Sequence, residues 1–191
     1  MSKLFFVFIC ATISVLNLFA QDGISPKISL LSSVSLENKH IFTNSIEKSE
    51  FDMSPGFILG LEFTFNDYQK IYKYGLGLNF QFNQSFPNHK GHYTYWPIYL
   101  FNRYDIFKIS DFSAGMQIDL GYNFMFADNY FFNSSSSARG GIFYSIGSIC
   151  ELNYSLQVRI NYSNNYSSIE SVGIEYLIKN NFLSIGLGYT F

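Results

Sequence analysis

Cysteine is almost missing from this 191-residue chain: there are two, Cys10 and Cys150, and Cys10 lies inside an apolar N-terminal stretch. If that stretch is removed, one thiol remains, so neither an internal disulfide nor a paired-cysteine metal site can form. Proline is scarce at 4 residues, and charged residues make up only 14%. The 12 Lys and Arg are scattered singly against 14 Asp and Glu, for a net charge of −2, and no basic run marks a nucleic-acid binder. Beyond the N-terminus no run approaches about 18 consecutive apolar residues, which excludes a helical membrane protein. Aromatic and apolar side chains are abundant instead: 48% hydrophobic, 20% aromatic, 22 Phe and 15 Tyr. That balance excludes a disordered chain, and the length suits one ordinary domain or two small ones rather than a multidomain enzyme.

Residues 1–20 read as a secretory signal peptide. Lys3 supplies the charged start, Leu4 to Val15 the apolar stretch, and Leu18-Phe19-Ala20 a small-residue end before the polar Gln21-Asp22. Cleavage is expected after Ala20, leaving 21–191 as the mature domain. An N-terminal membrane anchor is the alternative, but Thr12, Ser14 and Asn17 interrupt an apolar run already short for a spanning helix. A lipid-modified start at Cys10 would leave too short an apolar run before it.

The mature chain alternates with period two. From Phe112 to Phe126 the even positions are Phe, Ala, Met, Ile, Leu, Tyr, Phe and Phe, whereas the odd ones are small or polar except Met125. The same separation runs from Tyr72 to Phe82, from Tyr154 to Tyr162 and from Leu183 to Phe191. Alternation by itself suits any half-buried antiparallel sheet, including a secreted sandwich or a lipocalin-like barrel that binds an apolar molecule. Three features favour a membrane barrel. Its strands are long, its aromatics collect near strand ends, and its small, polar, sometimes charged face is a poor protein core. With lipid outside, Glu62, Lys73, Arg103, Asp119 and Arg159 point into the lumen and compensate one another there.

This reading gives an all-β, antiparallel up-and-down transmembrane β-barrel of eight strands, at residues 26–36, 56–66, 70–83, 93–104, 111–126, 140–152, 153–164 and 182–191. Long or polar connections at 37–55, 84–92, 127–139 and 165–181 alternate with tight ones at 67–69, 105–110 and 152–153, as expected of outer loops and periplasmic turns. Both termini then face the periplasm. Ser171 to Ile178 also alternates and is assigned to the last outer loop as an extension above the membrane, because a ninth strand would misplace the C-terminus. Ten strands, with another in 37–55, is the competing solution. Pro97 sits awkwardly inside a strand because it donates no ladder hydrogen bond.

The ending Ser184-Ile185-Gly186-Leu187-Gly188-Tyr189-Thr190-Phe191 resembles the C-terminal strand of bacterial outer-membrane proteins, whose terminal Phe is part of the signal read by the barrel-assembly machinery. The stretch Tyr95-Trp96-Pro97-Ile98-Tyr99-Leu100-Phe101-Asn102-Arg103-Tyr104 resembles the I-P-L-x-x-K-Y strand of the small PorT-like, OmpX-like outer-membrane barrel family common in Bacteroidetes. Trp96-Pro97-Ile98 stands for Ile-Pro-Leu, and Arg103 stands where a Lys is usual. The resemblance spans most of 26–191 and is carried by pattern more than by an exact motif. It implies export and insertion in the outer membrane of a Gram-negative bacterium, with lipid and lipopolysaccharide as surroundings. It implies no reaction and no cofactor.

An eight-stranded barrel is just wide enough for side chains to fill it, so the lumen is expected to be a polar plug rather than a porin channel. Gly75, Gly77, Gly186 and Gly188 recur at every second residue within strands and relieve crowding there. Enzymatic chemistry would draw on His40, His89, His92 and the serines at 134–137, and His89 with His92 has a spacing that could hold a metal, but no third ligand or orienting acid is evident. No catalytic, cofactor or metal residue is therefore assigned. Two non-enzymatic roles remain: a free-standing structural or surface-interaction barrel, and an accessory subunit of a larger outer-membrane complex for secretion or uptake. Aromatics in the expected loops, Phe42, Phe51, Phe86, Tyr130, Phe131, Phe132 and Tyr166, either mark an interaction surface or fold onto each other.

Overall fold

The computed structural model describes residues 27–43, 48–52, 55–65, 71–85, 92–127, 137–171 and 174–191. The expected signal peptide, Cys10, the 67–69 turn, His89, Phe86 and Tyr130 to Phe132 lie outside them. The strands are β1 (Lys27–Thr43), β2 (Lys48–Asp52), β3 (Phe57–Thr64), β4 (Tyr72–Ser85), β5 (His92–Ile109), β6 (Phe112–Ala127), β7 (Ser137–Arg139), β8 (Gly141–Leu152), β9 (Leu156–Ser171) and β10 (Ile174–Thr190). β2 and β3 run in succession along β1, and β7 and β8 along β9, so the ten segments form a ring of eight. The first and last strands close it through fourteen paired positions, and Ser29 and Thr190 share a hydroxyl hydrogen bond of 2.8 Å at the seam.

Pairing sets the shape of the ring. A path of directly opposed residues from Ser29 passes Glu62, Gly77, Tyr99, Gly121, Phe143, Asn165 and Asn180 and re-enters β1 at His40. Position 29 has become 40, a climb of 11 residues, part of which the β1 bulge between Ser35 and Glu37 absorbs. Stagger of that size tilts the strands by roughly 40° and leaves an interior that side chains fill.

Several expected boundaries are corrected. The 165–181 and 37–55 connections are largely strand, because β9 and β10 continue to Ser171 and from Ile174, and β1 and β2 pair up to Thr43–Lys48. Ser171 to Ile178 is thus mostly the start of the last strand, and the ring needs neither a ninth nor a tenth member. β5 runs on to Ile109, so the expected 105–110 turn shrinks to Ser110-Asp111: a bulge between Asp105 and Phe107 lets the strand continue while Asp105 points inward. Tyr154 belongs to the β8–β9 turn, where Asn153 and Tyr154 adopt φ of 53° and 57°. Pro97 is accommodated inside β5, where pairing with β4 passes from Leu78–Ile98 to Gln81–Tyr95 with no paired positions between.

Across the middle of the barrel the apolar face points outward. Leu120 is 63% exposed and Leu100 60%, whereas Glu62 and Lys73 are 1% exposed. A secreted binder of an apolar ligand would need the reverse. Tyr72, Tyr74, Tyr104 and Tyr189 are exposed toward the turn end, and Tyr122, Phe124, Phe126, Tyr144, Phe57 and Phe82 toward the opposite end. Phe80, Trp96 and Phe126 make a ladder with ring centroids 5.2 and 4.8 Å apart. Two aromatic girdles flanking an aliphatic band are what a barrel needs where water, headgroup and hydrocarbon meet.

Beyond the second girdle the polarity inverts. Tyr93, Tyr95, Met125, Ile169 and Ile178 turn inward and pack together with Ala138, while Lys39, Glu170 and Glu175 face out. A strand rising out of the bilayer meets water on its outer side and the closed barrel on its inner side, so its pattern must reverse. On the outermost hairpin Lys48 lies 2.9 Å from Glu50, and this contact holds the Glu50 carboxyl below the usual range.

Candidate functional site in the barrel lumen

The lumen is filled in tiers. Nearest the tight turns, Lys73 Nζ lies 2.9 Å from Asp105 Oδ2 and 3.7 Å from Glu151 Oε1. Arg103 donates from Nε to Asp105 (2.7 Å), from Nη1 to Glu151 (2.6 Å) and from Nη2 to Ser113 Oγ (3.2 Å). Two cations meet two carboxylates here. The register explains the meeting, since Lys73 and Arg103 are directly opposed on β4 and β5, and the Asp105 bulge keeps its carboxylate on the inner face.

One tier above, Arg159 forms a two-pronged pair with Glu62 and also donates to Gln157 Oε1. Gln117 Nε2 donates to Glu62 Oε1 and to Asp119 Oδ1, 2.9 Å each, and Tyr99 Oη donates to Glu62 Oε1 at 3.1 Å. Gln157 links the tiers by donating to Thr190 Oγ1 (2.9 Å) and Glu151 Oε2 (3.4 Å). Buried ions survive only when paired and hydrogen-bonded, and this arrangement supplies both conditions for Glu62 and Arg159.

Above the ions, Tyr99, Phe101 and Phe143 form an apolar layer, followed by the buried amides Gln81, Asn123, Asn165 and Asn180. Asn165 Nδ2 donates to Gln81 Oε1 at 2.9 Å, and the side-chain amides of Asn123 and Asn180 have no hydrogen-bond partner among the described residues. Buried amides of that kind are met by ordered water. The Tyr93–Tyr95–Met125–Ile169–Ile178 cluster closes the column. Small residues make the packing feasible: a Cβ on Gly75 would lie 1.9 Å from the Phe63 carbonyl oxygen, and one on Gly77 2.2 Å from the Tyr99 ring.

Glu62, Lys73, Arg103, Asp119 and Arg159 are all buried inside, as the alternation predicts. Asp105 and Glu151 were missed, the first because it was placed in a turn. Both share the inward parity of their strands, Asp105 with Arg103 and Glu151 with Ser145, which is the signal that finds them. His40 is a β1 position opposite Phe51 and Asn180, and His92 begins β5 opposite Ser85, so these two histidines stand on strands that do not pair, while His89 lies outside the described residues. Tyr166 is in strand β9 rather than a loop and stacks on Tyr144 at 6.1 Å. Among the described residues no group of three or more His, Cys, Asp or Glu is placed to hold a metal. The structure therefore brings together a packed ionic plug.

No protein-family model matches the sequence, and no curated protein matches it. Solved structures do match by shape. Neisserial surface protein A aligns with a TM-score of 0.52 at 14% identity, covering 86% of this chain and 97% of its own. The outer membrane protein OprG from Pseudomonas aeruginosa gives 0.52 at 16% identity, covering 88% and 97%. The outer membrane protein AlkL, solved in lipid bilayers, gives 0.54 at 11%, covering 88% and 90%. With its apolar belt, paired girdles and closed ring of eight antiparallel strands, this chain has the fold of the small outer-membrane β-barrels, and its surface is built for the outer membrane.

Proposed function

We propose that this chain is a non-enzymatic integral outer-membrane protein, exported by residues 1–20 and folded over 21–191, that acts as a structural or surface-interaction barrel through its outer hairpins and loops. One observation carries the reading: ion pairs, aromatic rings, amides and an apolar cap, nearly all buried, succeed one another along the lumen among the described residues. The work left to the protein lies on its surface, where lipid and lipopolysaccharide surround the belt and strands β1, β2, β7, β9 and β10 rise beyond it. The barrel-assembly machinery is its expected partner during insertion, through the C-terminal strand. Reconstituted into planar bilayers, the barrel should give no unitary conductance. Steady channel openings would overturn the filled-lumen reading.

The accessory-subunit role, to which the PorT-like resemblance points, draws support from the turn end. Ile106, Phe107, Ile109 and Phe112 are exposed on the β5–β6 hairpin, and Tyr154 Oη braces that turn by donating to the Ser110 carbonyl at 3.0 Å. A stable protein partner that co-purifies after mild detergent extraction, and is lost when Ile106 and Ile109 become Ser, supports this role. A lone barrel in that extract supports the free-standing one.

A further inference from the structure

The two ionic tiers of the lumen differ in charge. Lys73 and Arg103 balance Asp105 and Glu151 in the lower tier, but the upper tier sets Arg159 alone against Glu62 and Asp119. Arg159 is committed to Glu62 and Gln157, and Asp119 forms no ion pair among the described residues. Its carboxylate is directly opposed to Ser145 across β6 and β8. Ser145 is 2% exposed, and its hydroxyl faces that carboxylate.

A cavity of about 30 Å³ adjoins them, lined on its polar side by Asp119 and Ser145 together with Asn79, Tyr99, Asn161 and Ser163. Arg159 also borders it. The volume is that of one or two water-sized occupants. We propose that this cavity is a site for one small monovalent cation, of sodium size, held by the Asp119 carboxylate and neutral side-chain oxygens. A buried carboxylate in excess of the cations of its tier is costly even when hydrogen-bonded, and a hard cation with oxygen ligands removes that cost. One net negative charge in the tier calls for one positive charge, so a divalent ion would overcompensate. The ion is taken up as the barrel closes and is part of the folded state, so it stabilises by mass action.

The test uses the full mature chain refolded in phosphatidylcholine vesicles, in sodium chloride or in N-methylglucamine chloride at equal ionic strength and mildly alkaline pH. The readout is the temperature at which the fast-migrating folded band is lost. The native protein should unfold about 3 °C or more higher in sodium. Asp119→Asn should abolish that difference while keeping the folded band. Should Asp119→Asn not fold, Ser145→Ala keeps the carboxylate, and the sodium concentration for half the shift should rise several-fold. Equal midpoints in the two salts for the native protein would overturn the proposal, as would a sodium effect that both variants retain in full. A midpoint that follows pH but ignores sodium would also overturn it, because a proton on Asp119 would then be supplying the missing charge. Absence of any folded band in the native protein would instead count against the barrel itself.

Discussion

Arg159 and Glu62, 97 positions apart in the chain, meet across the closed lumen with Nη1 2.7 Å from Oε1 and Nη2 2.6 Å from Oε2. The pair joins β9 to β3, which are not neighbours in the ring, so it ties opposite parts of the wall together. Glu62→Gln removes the two-pronged partner of a buried guanidinium, which Asp119 does not replace in geometry, and should cost about 3–5 kcal/mol in urea unfolding from vesicles. Changing both residues to Leu should recover much of that loss, because the desolvation of both charges is also removed. A double variant as unstable as the sum of the two single changes would contradict the assignment of a directly coupled pair.

Glycine substitutions should differ by what the new methyl meets. Gly75→Ala drives a Cβ against the Phe63 carbonyl oxygen and the Phe101 ring, whereas at Gly188 the nearest atom is the movable end of Leu31, at 2.5 Å. Gly75→Ala should therefore destabilise by about 1–3 kcal/mol and Gly188→Ala by clearly less, in the same urea titration. Equal effects would show that the wall at Gly75 is looser than described.

The belt makes a depth-dependent prediction. Leu120, in the middle of β6, and Leu177, on the part of β10 beyond the girdle, are both exposed and outward. Leu120→Arg should cost about 2–4 kcal/mol in vesicles and Leu177→Arg about 0–1. Similar costs at both positions would place the outer boundary of the bilayer farther up β10.

Those two leucines also show where sequence reading worked and where it stopped. Through the membrane zone, alternation is a direct imprint of lipid outside and polar lumen inside, so the β6 faces and the inward charges on β3, β4, β5 and β9 could be read residue by residue. On β10 the apolar face changes sides: Ile178 points inward, yet Leu183, Ile185 and Leu187 point outward. A single strand crossing from water into lipid looks like two segments of opposite phase, and for that reason 171–178 read as a loop extension. The bulges at Ser35–Glu37 and Asp105–Phe107 had no signature in the pattern, and without the second one the strand read as ending at Tyr104, which left Asp105 in a turn despite its parity with Arg103. Contacts such as Arg159 with Glu62 depend on the stagger of the whole ring, which no local period specifies.

Cys150 provides an independent probe of the same surface. Its thiol is free and exposed on β8, on the outward face with Ile146 and Leu152. In vesicles it should react with a lipid-soluble maleimide and resist a charged, water-soluble one, and detergent should equalise the two, as read by mass spectrometry. Rapid labelling by the charged reagent in intact vesicles would place that position in water.

A closed barrel carries its polar residues inside and its apolar ones against lipid. Its most direct test is gel migration of the protein recovered from the outer-membrane fraction, compared with and without boiling. The protein should sediment with the membrane, and the unboiled band should migrate as a compact folded species that shifts on boiling. A soluble protein whose migration is the same in both samples would contradict it.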